Sequence, residues 1–231
     1  MMFKLTIFIL LFQWPLYLQA APVISQGLRD AFARQLQRVR AHNEDMTPFK
    51  NDMKALADKG DPVAQFYFVV ANDSDNPFAP ENMKYLQASA NGGCAGAAGM
   101  IAMYYTTKNK KMGRYWLEYA ARNGEANSQI TVAANYMSGE NGYRKDLVKS
   151  YAWLLLASDQ VYSKALQLQI EMMLFNMERQ LKSDQVLKGK QLYSELRKKY
   201  GIQPFYNCGQ IAPANDRLPD SKIKELRALK E

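Results

Sequence analysis

Residues 133–157 read AANYMSGENGYRKDLVKSYAWLLLA, and this stretch decides the fold. Ala133 and Tyr136 close one helical pattern, and Gly139 and Gly142 interrupt it. After Asp146 a second apolar pattern begins, with Trp153 and Ala157 on one stripe. The spacing predicts a helix, a tight turn and a second helix folded back on the first. A lone hairpin of this kind cannot bury its apolar faces, so it should recur along the chain.

It recurs on both sides. Gly60, Gly92 and Gly124 each end a run of small residues, and they lie 32 residues apart. Gly60 is followed by Asp-Pro-Val-Ala-Gln and Gly124 by Glu-Ala-Asn-Ser-Gln. Trp116 precedes Gly124 by the same interval at which Trp153 precedes Val161, which puts Val161 at the glycine position of a further unit. That last step is longer, and its extra residues fall in the loop from Gly139 to Asp146. A period in the thirties built from helix pairs means an α-solenoid, in which each unit packs on its neighbours.

The pattern Tyr136, Gly139, Gly142, Asp146, Ser150, Trp153, Ala157 resembles a Sel1-like repeat, a relative of the tetratricopeptide repeat. The resemblance spans residues 47–165. It is fullest in this unit, although one extra residue separates the glycines. The unit before it keeps Tyr104, Trp116 and Ala120-Ala121 but has Thr106-Thr107-Lys108 where turn glycines belong. The first has Asn72 at the tyrosine position and a turn containing Pro77 and Pro80. The resemblance implies an all-α, right-handed solenoid of helix-turn-helix repeats, closed by an N-terminal capping helix and a C-terminal helical cap. It also implies a binding scaffold rather than a catalyst.

Working outward, 231 residues suffice for one elongated repeat array with an appendage. Hydrophobic content of 48% against 23% charged residues is that of ordinary folded protein. Residues 1–20 read as a secretory signal peptide: Lys4, an apolar run from Leu5 to Phe12, and Leu18-Gln19-Ala20 before Ala21-Pro22. The apolar run is short for a membrane span, which needs about 20 residues. An uncleaved anchor is the alternative. The signal places the chain in the periplasm or outside the cell.

Residues 22–160 then hold the capping helix and the repeats. Leu28, Phe32, Leu36 and Val39 mark the cap, and a helix through Phe49, Met53 and Leu56 leads into the array. The hairpins pair 62–71 with 81–90, 95–105 with 111–122, and 126–137 with 147–158. Residues 161–231 hold two further helices that close the array, at 165–181 and from Ser183 to Tyr200. They are followed by a basic segment with Pro204, Pro213 and Pro219 and a short final helix from Ser221.

The net charge is +8, and from Asn176 onward 12 Lys and Arg face 7 Asp and Glu. In an exported protein such a surplus points to anionic envelope components rather than to nucleic acid. No metal, cofactor or catalytic constellation emerges. His42 stands alone, and no zinc site is built from one histidine. Ser221-Lys-Ile-Lys224 and Ser74-Asp75-Asn76 match fragments of the penicillin-recognising motifs, in reversed order and without the third. Cys94 and Cys208 are the only cysteines. A bond between them would strap the late segment across the array, and two separate thiols are the alternative.

The first helix of each pair should line the inner curve. On the glycine alignment its groove positions are Val63, Phe66 and Val70, then Ala98, Ala102 and Tyr105, then Asn127, Ile130, Ala134 and Met137. An apolar groove of this kind suits a partner's helix or an extended peptide. The expected function is a non-enzymatic adaptor of the bacterial envelope. The alternatives are a periplasmic immunity protein against a toxic effector and a binder of envelope polymer or membrane surface.

Overall fold

The computed structural model describes residues 24–41, 45–72, 76–161, 163–200 and Cys208. The signal segment, His42 and everything after Cys208 lie outside them, as do the final helix from Ser221 and the Ser221 motif. Ten helices follow one another through the described residues: α1 (Gln26–Arg40), α2 (Thr47–Asp58), α3 (Pro62–Ala71), α4 (Pro80–Asn91), α5 (Ala95–Lys108), α6 (Lys110–Arg122), α7 (Ala126–Ser138), α8 (Leu147–Gln160), α9 (Lys164–Glu178) and α10 (Ser183–Tyr200). From α1 to α9 each helix packs on the next, so the chain builds an all-α solenoid. No helix among the described residues is long and apolar enough to cross a membrane.

The joints between units explain the periodicity. At the end of α2, Gly60 takes φ +89° and its N–H donates to the Ala57 carbonyl at 2.9 Å. The Asp61 N–H donates to the Leu56 carbonyl at 3.2 Å. This is a Schellman closure, which needs a left-handed residue that glycine alone adopts without strain. The same pair of bonds recurs at Gly93 and Cys94, and again at Gly124 and Glu125. The residue after each glycine then starts the next helix: Asp61 accepts from the Val63 and Ala64 N–H groups, and Glu125 from those of Asn127 and Ser128. One residue thus ends a helix pair through its main-chain N–H and opens the next through its side chain.

These joints shift the register read from the sequence. The left-handed glycine of the middle unit is Gly93 (φ +91°), and Gly92 is the C-cap of α4 with φ −79°. Gly92 is glycine for another reason: a Cβ there would stand 2.6 Å from the Cβ of Pro62. The sequence alignment on Gly92 is therefore one residue out of step in α5.

Turns inside the hairpins differ. Asn109 alone connects α5 to α6. Its N–H donates to the Tyr105 carbonyl at 2.8 Å, and its side chain accepts from the Met112 N–H at 3.1 Å. Such a tight return brings the two backbones together at Gly113, where a Cβ would meet Thr106 at 3.0 Å. The third turn uses Gly139, Asn141 and Gly142, all at positive φ, before Asp146 caps α8 by accepting from the Lys149 N–H at 3.0 Å.

The core divides into two clusters that meet along α6. Trp116 and Ala120 belong to the first with Leu28, Met53, Leu86 and Ile101, and Ala121 to the second with Tyr151, Leu154, Ile170 and Leu174. At the near end α1 packs on α2, burying Leu28 and Ala31 and leaving Leu36 exposed. At the far end α10 packs on α8 rather than pairing with α9. Gly189 lies against the ring of Tyr151, and Tyr200 stacks on Trp153 at 6.1 Å.

Candidate functional site

Counting from the residue that opens each first helix (Asp61, Cys94, Glu125 and Ser163) gives one common register. The ninth residue on is Val70 in α3, Met103 in α5, Ala134 in α7 and Met172 in α9. Val70 is 52% exposed, Met103 69% and Met172 61%. Large apolar side chains are thus held in water at equivalent places of three units, while α7 between them places the smaller, half-buried Ala134 there. On α9 the apolar surface widens to Leu168, Met172 and Phe175, all exposed. Helix α9, read from the sequence as part of a cap, carries this face in the register of a fourth unit.

The sequence-derived groove residues fall into two groups. In α3 and α7 the positions keep the common register, with Val70, Asn127 and Met137 exposed and Ile130 and Ala134 half-buried, but Val63 and Phe66 are buried in the core rather than on the face. In α5 it fails. Ala98 and Ala102 are buried in the core, and Tyr105 is half-buried against Tyr104. The face of α5 consists instead of Gly96, Gly99, Met103 and Thr106, each one residue later, as the Gly93 joint dictates.

Between α5 and α7 this face opens into a cavity of about 260 Å³. Gly96, Gly99 and Gly113 border it, so helices and any occupant can approach closely. Asn127, Thr131 and Asn135 form the α7 wall, and Met100, Met103 and Leu117 supply apolar surface. Glu125 is buried at one end, with both carboxylate oxygens taken by the Asn127 and Ser128 N–H groups. At the other end Arg114 donates to Glu118 at 2.8 Å and to the Gly142 carbonyl, with its guanidinium 4.3 Å over the Tyr143 ring. Burial, helped by the Glu118 charge, pushes the Tyr143 phenol well above its ordinary value. Among the described residues its hydroxyl makes no hydrogen bond of good geometry, Glu118 being the nearest polar neighbour to act on it.

These groups provide shape, amides and one held cation, but no activated nucleophile. Among the described residues no cluster of three or more His, Cys, Asp or Glu could hold a metal.

Cys94 and Cys208 are joined by a disulfide, with 5.3 Å between their Cα atoms. Cys94 occupies the helix-opening position held elsewhere by Asp61 and Glu125, yet it makes no side-chain cap. Cys208 is buried in the first core cluster. Its carbonyl oxygen would stand 1.8 Å from a Cβ on Gly96, with the Phe66 ring close by. No spacing in the sequence signals this contact, because it joins residues more than a hundred apart.

Comparison with known proteins places the architecture. No family model matches the chain, and no curated protein matches it. Among solved structures it is similar to a protective antigen present in uropathogenic Escherichia coli strains, which displays a Sel1-like repeat fold, with a TM-score of 0.60 and 19% identity. The match covers 76% of this chain and 39% of that one, so the chain spans about two fifths of that protein's length. The chain has the Sel1-like repeat fold.

Proposed function

We propose that this chain is a non-enzymatic adaptor that binds another protein on the face formed by α3, α5, α7 and α9. The observation carrying this reading is the set Val70, Met103 and Met172, exposed in one register, with Met103 lining the cavity between α5 and α7. A partner laid across the first helices would cover the set with apolar side chains. Its polar groups would meet Asn127, Thr131 and Asn135.

Residues 1–20 act as an export signal in this reading, and binding takes place in the periplasm or outside the cell. The Cys94–Cys208 bond suits an oxidising compartment. The basic residues late in the chain add peripheral attraction to anionic envelope components.

Photo-crosslinking tests the proposal. A benzoylphenylalanine at Ile130 or Met137 should capture one abundant polypeptide from the envelope fraction. The same group at Tyr115, exposed on the second helix α6, should not. Capture from Tyr115 alone would contradict the assignment of the face. A nuclease or lipase as the captured chain would identify the adaptor as an immunity protein.

A further inference from the structure

We propose that residues 209–231 of this chain dock on its own first-helix face, entering it at Gly96. The inference rests on the reading of that face as a binding surface and names its occupant in the unbound protein.

The entry point is visible at Cys208. Its main chain lies directly on Gly96, a face position of α5, and beside Phe66 of α3. The disulfide to buried Cys94 holds it there. The chain leaves α10, which packs on α8, and is returned to the face at the end of the cavity marked by Gly96. Residue 209 thus follows directly on a residue seated against that end of the cavity.

Ahead lie Gly99, Met103 and Thr106 on α5, with the Asn127, Thr131 and Asn135 wall opposite. Gly96 to Thr106 spans about 15 Å of helix, which about five extended residues cross. The sequence continues for 23 residues after Cys208. Helices pack about 8–10 Å apart, so α9 lies about 20 Å from α5 and within reach of that length. The segment carries matching surface: Ile211 and Leu218, then Ile223, Leu226 and Leu229 at helical spacing. Those five apolar side chains match exposed apolar ones on the face, and the exposed Asn127 amide can receive main-chain groups that an extended segment leaves unpaired. A partner must then displace this segment to bind.

The test uses the purified full chain with benzoylphenylalanine in place of Met103 or, separately, Met172. Irradiation followed by peptide mapping should give cross-links within one chain from either position to residues 209–231, and none from Tyr115. Cross-links between two chains would make a second copy the occupant and overturn the proposal. So would cross-links confined to the helical array. Cys94→Ser supplies a competent cap at the opening of α5 while cutting the anchor. With helicity retained by circular dichroism, the Met103 cross-link to 209–231 should fall several-fold, and an undiminished yield would overturn the anchoring role. Repeating the irradiation with envelope fraction separates the two readings. An adduct to another polypeptide, where the purified chain gave no internal cross-link, supports the adaptor and ends the inference; an internal cross-link that no partner replaces does the reverse.

Discussion

Gln129 repeats, two units along, the hydrogen bond that Gln65 makes. Each side-chain amide donates to the carbonyl eight residues back, Gln65 to Ala57 at 3.3 Å and Gln129 to Ala121 at 3.0 Å. Both residues are buried and so tie the start of one unit to the end of the previous one. Gln129→Glu places a carboxylate against a carbonyl. At neutral pH it should cost about 2–4 kcal/mol. Burial raises the folded-state pKa of that carboxyl above its unfolded value of about 4.3. The protonated form is therefore favoured by folding, and the deficit relative to the parent should shrink as pH falls toward 4.5. Urea unfolding at the two pH values measures both effects.

Glycines at helix contacts should respond in opposite directions. A Cβ at Gly189 would lie 2.6 Å from the Tyr151 ring, which is fully buried and whose hydroxyl bonds to Glu178. That ring has nowhere to move, so Gly189→Ala should destabilise by about 1–3 kcal/mol despite the better helix former. At Gly27 the nearest atom is the end of the Leu56 side chain at 3.0 Å, which can rotate aside. Gly27→Ala should be neutral or stabilising by up to about 1 kcal/mol. Thermal unfolding of the two variants decides the signs.

The disulfide and the helix cap compete for one position. The bond closes a loop of 114 residues, so Cys208→Ser should lower stability by about 2–5 kcal/mol under non-reducing conditions. In that background Cys94→Asp should exceed Cys94→Ala by about 1 kcal/mol, because Asp61 and Glu125 show that an acidic side chain caps there. Equal stabilities would mean that the opening of α5 does not follow its neighbours.

Tyr143 offers a test at high pH. Its hydroxyl is buried without a hydrogen bond of good geometry among the described residues, so Tyr143→Phe should leave stability unchanged at pH 7.5 or raise it by up to about 1 kcal/mol. Burial raises the phenol's folded-state pKa above the unfolded value of about 10. Its contribution is then present below pH 10 and lost as pH rises further. The balance between the two proteins should move toward the phenylalanine variant above pH 10, which denaturant titration across that range records.

Much of this was legible in the residues themselves. Tyr136, Gly139, Gly142, Asp146 and Trp153 mark a hairpin because each has a local job: positive φ, a helix cap or a packed ring. Local chemistry also explains the misreading in α5. Asn91-Gly92-Gly93 offers two glycines, and only the observed φ shows that Gly93 turns the chain while Gly92 makes room for Pro62. That single step moved the groove from Ala98 and Ala102 to Gly99 and Met103. The role of α9 was hidden for a related reason, since Ser163 opens it without the glycine that marks the other joints. The contact of Cys208 with Gly96 depends on the folded path of the whole chain, which no local pattern encodes.

Equivalent residues stack in one direction, unit after unit. Spin labels at the common register positions 70, 103, 134 and 172 test it by pairwise electron–electron distances. With about 10 Å per step, the separation from 70 should grow steadily from 103 to 134 to 172. A 70–172 distance no longer than 70–103 would contradict the solenoid and the binding face derived from it.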